Sequence, residues 1–523
     1  MSYADLFRVT LPETALEIAA LLVLVADLAF LRKAALRART IVAALLGVAG
    51  CGAALWALRL QGQGGLSFNG TGELLLATGG PVQVAQSGIL ILTALTLLLL
   101  IDSIFTRHVG EYVAVVLMAA TGGLLIAAAQ DLLVIFIGLE LLSLGLYILT
   151  AFAKSSAKSA EAAMKYYLFG GMSAAFLLFG FSYLYGLTGS TNLNQIFSAL
   201  AIGDSVSYPL LLVAIVLIFA GLGFKVAATP FHLWAPDTYE GAPAPAAAFI
   251  ASVSKVTSFA LLLSIGFASS HLLIPQIAGA GWSAQLNAGI GAGSGFGRSW
   301  ALVIFVAAAL SMVVGNLAAL AQVSVRRLLA YSAIAHAGYL LLGIPTNAVE
   351  VAVHFPFSTA DRTTGAVLFY VLTYGLTTIG AFGVVSVVER ATGSDRLDAF
   401  LGLHRRNPLL AAVLLVLFLS LAGIPPLVGF WAKFNLFAAV LGVSAGPIPF
   451  ALVALAVAFS AVSLYYYLQV LKRAYVMPAV DETPIKADPV TLTVLVLIAA
   501  AVVLLGCFPA QLQCWIENFC PVL

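Results

Sequence analysis

Residues 242–270 read APAPAAAFIASVSKVTSFALLLSIGFASS and hold a single charged side chain, Lys255. An apolar run of this length matches what an α-helix needs to cross a bilayer, about 20 residues. Lys255 stands about thirteen residues from either end, roughly 20 Å at 1.5 Å per residue. A lysine side chain is too short to reach either interface from there. An ammonium facing lipid at that depth costs several kcal/mol. The stretch therefore reads as a membrane span whose lysine faces a partner or water inside a bundle.

The rest of the chain has the same character. Of its 523 residues 62% are hydrophobic and 9% charged, and the mean hydropathy is +1.07. Soluble domains run at roughly 45–50% and about 25%, so no soluble interior could hide this much apolar surface. Strands of a membrane barrel would alternate apolar and polar residues, and these runs do not. Lys+Arg 24 against Asp+Glu 22 gives net +2, which leaves no basic footprint for nucleic acid. The acidic, amphipathic start SYADLFRVTLPETALE differs from a cleavable signal peptide.

Hydropathy resolves roughly fourteen spans, near 14–31, 40–59, 86–102, 110–129, 131–152, 161–187, 207–230, 242–270, 299–322, 327–345, 364–388, 408–442, 447–471 and 489–508. The Gly-rich, nearly uncharged connections 60–85 and 271–298 read as extramembrane hairpins or loops. With the N-terminus outside, sixteen of the 24 Lys and Arg fall on the inner side, four outside and four within spans. That asymmetry places both termini outside and favours an even number of spans.

Other charges are also buried by this reading. Glu140 is mid-span in DLLVIFIGLELLSLGLYIL, and Lys433 is central in LAGIPPLVGFWAKFNLFAAVLGV. Lys225 lies five residues before Pro230 in LIFAGLGFKVAATPFHLWAP. Any one alone is compatible with a structural salt bridge; together, three lysines and a glutamate in four spans point to a functional set. Lys165 follows Glu161 at i+4 and reads as an interface ion pair or a secondary relay group. His336, in YSAIAHAGYLLLGI, reads as a packing histidine or a relay. His232 and Asp237 belong near the inner end, and Asp27 is expected to snorkel or to pair with Arg32 or Lys33.

Pro230 interrupts the seventh span, and Pro425 with Pro426 the twelfth. An interior proline breaks the helix, and unwound backbone at membrane depth needs protein or water around it. Breaks beside buried lysines, five spans apart, suggest corresponding positions in a repeat. A five-helix unit has an odd number of crossings, so its copy must be inverted. The expected fold is thus an all-α polytopic membrane protein with inverted repeats of helices 4–8 and 9–13 and broken helices 7 and 12. The chain divides as a three-helix segment 1–108, repeats 109–270 and 271–475, and a final helix with tail 476–523.

No cofactor or metal site is legible. Cys51, Cys507, Cys514 and Cys520 form no CxxC pattern and have no nearby histidine; a Cys514–Cys520 disulfide requires an oxidising compartment. GIGAGSGFGRS, residues 289–299, lacks a strand–helix context.

Several stretches resemble the antiporter-like membrane subunits of respiratory complex I, nearest the subunit N branch. They are LPETALEIAALLVLVADL, LLVIFIGLELLSLGLYIL around Glu140, EAAMKYYLFGGMSAAFLLFGFSYLYG around Lys165, GFKVAATPFHLWAPDTYEGAPAPAAAFIASVSK covering Lys225 and Lys255, VRRLLAYSAIAHAGY around His336, and LAGIPPLVGFWAKF around Lys433. A lysine rather than glutamate in span twelve, and an end after about fourteen spans without a lateral helix, favour that branch. The resemblance implies a non-redox, proton-pumping subunit of NADH:quinone oxidoreductase in a bacterial inner membrane, with periplasmic termini. Its partners would be the other membrane subunits and lipid, and flavin, iron–sulfur clusters and quinone would reside in those partners. Under it Glu140, Lys225, Lys255 and Lys433 carry the relay, with Glu140 modulating Lys225, Lys255 central, and Lys433 storing or releasing the proton.

The magnitudes are compatible. Low dielectric weakens an amine's hold on its proton and a neighbouring carboxylate restores it; about three pKa units amount to roughly 4 kcal/mol. Moving a charge across about 150–200 mV requires roughly 3.5–4.6 kcal/mol. An Mrp-type cation/proton antiporter, a membrane-bound hydrogenase subunit, and a structural module that only transmits motion are competing readings, and sodium in place of protons is another.

Overall fold

The computed structural model describes residues 3–519 apart from 62–63, 68–73, 104, 203–206, 270–294, 347–361, 444–446 and 480. The chain opens with α1 (Tyr3–Val9), α2 (Leu11–Val25) with a π-helical turn Ala26–Phe30, and α3 (Leu36–Leu60). An antiparallel hairpin follows, β1 (Gly64–Ser67) and β2 (Leu74–Thr78). Then come α4 (Gly80–Leu99), α5 (Val109–Ala128), α6 (Leu132–Thr150), α7 (Ala157–Thr188), α8 (Leu193–Ile202), α9 (Tyr208–Val226), α10 (Trp234–Gly241) and α11 (Ala244–Ser269). The second half contains α12 (Gly295–Leu320), α13 (Val325–Leu341), α14 (Arg362–Thr392), α15 (Pro408–Ala422), α16 (Val428–Val443), α17 (Pro447–Tyr475), α18 (Pro489–Cys507) and α19 (Pro509–Phe519).

Among the described residues twelve helices are long and apolar enough to cross a membrane. The two other expected segments are 14–31, carried by α2 and its π turn, and 408–442, which is split into α15 and α16. The connection 60–85 holds the β-hairpin. Most of 271–298 lies outside the described residues, as does Cys520, the expected partner of Cys514.

Burial locates the centre of the bundle. The apolar stretches of α11 and α13 are 94% buried and that of α14 is 89% buried, whereas α7 and α17 bury only 33% and 22%. The central helices are therefore those that carry Lys255 and His336. Small residues let these backbones meet. A Cβ added at Gly315 would stand 2.6 Å from Ala335 N, and one at Gly338 would stand 2.8 Å from Ala308 O. Both glycines sit in the α12–α13 contact.

One end of the bundle is tied by ion pairs: Arg37–Asp488, Arg39–Asp27, Lys158–Glu240, Arg326–Glu389 and Arg390–Asp102. This basic end carries the connections assigned to the inner side. Asp27 corrects the sequence expectation. Its carboxylate receives Arg39 Nε and Arg39 NH2, each at 2.7 Å, and the Gly110 amide at 3.2 Å. The π turn and the reversal after it fold α3 back, which brings its first turn to Asp27 in place of Arg32 or Lys33.

The two breaks are alike. α9 ends on Ala227 (φ 59°) and α15 on Gly423 (φ 89°), both left-handed, and each is followed three residues later by a cis proline, Pro230 and Pro426.

Candidate functional site

Each expected lysine is buried, and the residue exposures are 7% for Lys225, 2% for Lys255 and 6% for Lys433. None reaches the surface, so snorkelling is excluded. Among the described residues none of the three is in an ion pair with a carboxylate; each amine donates to neutral oxygens instead.

The breaks explain why those oxygens are available. The last carbonyls of a helix lack amide partners along the chain, and the helix dipole favours a cation beside them. Lys433 Nζ donates to Leu421 O at 3.2 Å and to Ala422 O at 2.9 Å, at the end of α15, and to Ser460 Oγ of α17 at 2.8 Å. Lys255 Nζ donates to Val226 O, the last residue of α9, at 3.3 Å, and to Ala333 O of α13 at 2.6 Å. Lys255 thus spans from the first broken helix to a helix of the second half. Lys225, in the last turn of α9, donates to Ser143 Oγ at 2.5 Å, and Ser143 donates to Leu139 O. Aromatic faces complete the cages, with Phe224, Tyr374 and Tyr339 centred 5.5, 5.9 and 5.4 Å from Lys225, Lys255 and Lys433.

Glu140 is half-buried on α6, one turn before Ser143. It lies within electrostatic reach of Lys225 but does not form an ion pair with it. Ser143 occupies the amine in its place.

Polar side chains occupy the interval between Lys255 and Lys433. His336 Nδ1 is 2.9 Å from Tyr370 Oη, its Nε2 is 3.4 Å from Tyr467 Oη, and its ring lies 4.7 Å from that of Tyr374. Tyr467 bonds Ser332. Tyr466 Oη donates to Asn316 Oδ1, and Asn316 Nδ2 donates to Tyr339 Oη, both at 3.1 Å. Tyr374 faces Lys255 and Tyr339 faces Lys433, so the group fills the space between the two amines. The sequence reading singled out only His336 from it. The i,i+4 spacing of Ser332 with His336, and of Tyr370 with Tyr374, was the available signal.

Lys165 is placed elsewhere. It pairs with Glu161 at 2.8 Å, as its spacing implied, and with Asp237 of α10, also at 2.8 Å. Arg327 holds the other oxygen of Asp237 at 2.6 Å and Glu240 at 3.0 Å. α10 is thereby clamped at the basic end, and Trp234 Nε1 in turn donates to Phe224 O beside Lys225, at 2.9 Å. Partial burial works against the Asp237 charge, yet Lys165 and Arg327 hold its carboxyl below its ordinary range. Such a lowered carboxyl stabilises the fold above its ordinary titration range and loses that contribution only as pH falls through the lowered value. The clamp is therefore constant near neutrality.

Gly423 permits the approach of Lys433. A Cβ there would stand 3.1 Å from Lys433 Cδ and 3.2 Å from its Nζ, at a left-handed φ. Gly423→Ala is expected to cost about 1–2 kcal/mol in backbone strain and to displace the amine. Thermal stability and proton transport should both fall in the assembled protein, whereas unchanged values for both would refute this seat for Lys433.

Known proteins resemble this chain along most of its length. A family model described as NADH:quinone oxidoreductase/Mrp antiporter, TM, matches residues 129–291 and 290–460. The protein named NADH-quinone oxidoreductase subunit N 2 of Acidobacterium capsulatum is 48% identical over 532 aligned residues, covering 99% of each chain. A chain of respiratory complex I from Thermus thermophilus with bound aureothin is 32% identical with a TM-score of 0.72, covering 96% of this chain and 98% of that one. A chain of the Mrp complex from Dietzia sp. DQ12-45-1b has a TM-score of 0.75 at 20% identity, covering 98% of this chain and 52% of that one, a likeness of fold alone. With most of its length matched by one family model and nearly all of it by a close relative, the chain belongs to the NADH:quinone oxidoreductase/Mrp antiporter membrane family.

Proposed function

We infer that this chain is the subunit-N-type, proton-translocating membrane subunit of an NADH:quinone oxidoreductase. The observation that carries the reading is the seating of three buried amines on carbonyl and hydroxyl oxygens, with no carboxylate bound to them among the described residues. A permanent ion pair would fix each ammonium, whereas neutral acceptors allow an amine to hold a proton or give it up. Each transfer then needs only a modest change in a neighbouring charge, and Glu140 at its distance from Lys225 is suited to supply that change.

Protons pass on this reading between Lys225, Lys255 and Lys433. Lys255 connects the two halves through Val226 and Ala333, and His336 with its tyrosines fills the interval to Lys433. Water enters where the helices are unwound. Thr229 and Thr238 flank the first break and are buried, and their hydroxyls make no hydrogen bond among the described residues. Such groups are normally satisfied by water. Lys165 belongs to the mouth at the basic end, where it positions α10.

The chain crosses the membrane fourteen times in this account, with both termini on the periplasmic side of a bacterial inner membrane. Residues 109–270 and 271–475 form inverted repeats flanked by 1–108 and 476–523. The matching breaks at Ala227 and Gly423 support the repeat, as do consecutive family-model matches of nearly equal length. Redox groups reside in partner subunits.

The test is to purify the assembly through a tag on this chain and reconstitute it in vesicles. NADH oxidation by quinone should move protons across the vesicle membrane, with the pH gradient abolished by a protonophore. Co-purification without quinone reductase subunits, or a gradient that requires sodium, would refute the assignment.

A further inference from the structure

Glu13 is a buried acid away from the lysines. It lies in the first turn of α2, at the end of the bundle opposite the basic end, and is 5% exposed. Its Oε2 has no hydrogen-bond partner among the described residues, and Oε1 receives Gln86 Nε2 only at 3.4 Å. Among the described residues no cation pairs with it. The charged groups of the helices packed on α2 are, among the described residues, engaged or remote: Arg37 with Asp488, Arg39 with Asp27, and Glu111 with His108, all at the basic end. Glu17, one turn on, is exposed, as are Arg8 and Arg59. A carboxylate ionised in such a place is heavily penalised, and an oxygen without a protein partner there marks a position for water or an exchangeable proton.

Polar groups lie between Lys255 and Glu13 in depth, without direct contact from the Lys255 amine, which is held by Val226 O and Ala333 O. Thr257, two residues further along α11 and turned from Lys255 by that spacing, donates to Val253 O at 2.9 Å and packs its hydroxyl on α5 at Gly123, where an added Cβ would meet Thr257 Oγ1 at 2.9 Å. The next residue, Leu124, gives its carbonyl to Gln86 Nε2 at 3.2 Å. Gln86 is thus forked between the backbone beside Thr257 and the Glu13 carboxyl. The order Lys255, Thr257, Gln86, Glu13 runs steadily away from the basic end.

We propose that Glu13 is the terminal acid of an exit branch, taking a proton that leaves Lys255 past Thr257 and Gln86 and passing it to water on the outer face. In the step the Lys255 ammonium becomes an amine and the Glu13 carboxylate becomes an acid; release to water restores the carboxylate. The inference rests on the proton-transfer reading of Lys255 given above.

The experiment uses the reconstituted complex carrying Glu13→Gln, Glu13→Asp or Gln86→Leu, each verified as assembled. Glu13→Gln should lower the protons moved per NADH, Glu13→Asp should restore them, and Gln86→Leu should lower them as well. The redox-induced infrared difference spectrum of the wild type should contain a carboxylic-acid band that is absent from Glu13→Gln, a signature that a purely structural role would not produce. If Glu13→Gln does not assemble, Gln86→Leu and the aspartate spectrum, in which that band should shift, decide the question. An unchanged ratio in the glutamine variant, or in Gln86→Leu, overturns the proposal, as does the absence of such a band or shift. Normal pumping by Lys255→Ala would defeat the underlying reading instead, so the two failures are distinguishable.

Discussion

Lys255→Ala is expected to abolish proton pumping and with it coupled quinone reduction, while the assembly still forms. The amine sits at the centre of one of the two most enclosed helices and bonds Val226 O and Ala333 O, one from each half of the molecule. Alanine leaves that junction without a group able to take up a proton. A positioned proton-transfer group is worth on the order of a hundredfold or more in rate, so coupled turnover should fall by about that factor. Folding should suffer less, because Ala333 lies inside α13, where helical bonding serves its carbonyl. Proton uptake into vesicles, normalised to assembled complex, makes the comparison. Wild-type transport in the variant would leave this chain a structural module.

Lys433→Met should be comparably inactive and less stable. Methionine keeps much of the stem but removes the donor shared by Leu421 O, Ala422 O and Ser460 Oγ. Two of those oxygens close a broken helix and have no amide to take over. An unsatisfied buried acceptor costs about 1–3 kcal/mol, so the break between α15 and α16 loses its main tie. The expected result is loss of pumping together with a lower melting temperature of the complex, a larger drop than in Lys255→Ala. Equal stability in the two variants would show that the α15 carbonyls have another partner, such as water, and normal pumping would remove Lys433 from the route.

The lysines and the proline breaks were legible from the sequence because a charge or a proline inside an apolar run is rare and has few physical explanations. The positions of Lys225, Lys255 and Lys433 needed no tertiary information. Their acceptors did. Ser143 and Ser460 look no different in sequence from Ser252 or Thr93, which simply bond back to Ala248 O and Ile89 O on their own helices. A hydroxyl in a span can satisfy itself locally, so it carries no signal until the neighbouring helix is placed. The same holds for the tyrosines around His336, whose partners come from α12, α13, α14 and α17. Lys165 shows the limit for charges: Glu161 was readable four residues away, but Asp237, which turns the pair into a clamp on α10, is 72 residues distant. Asp27 was misassigned for a related reason. Its nearest cations in sequence lie beyond a turn, and the turn delivers Arg39.

One measurement separates an exchanging amine from a fixed charge most directly: the number of protons moved per NADH by reconstituted complex carrying Lys255→Arg. Arginine keeps the positive charge and can donate to Val226 O and Ala333 O, but it does not release its proton in proteins. The account predicts an assembled complex whose ratio is lowered and whose coupled turnover is strongly reduced. A wild-type ratio at wild-type turnover would show that only the charge at this position is needed, and would contradict proton exchange at Lys255.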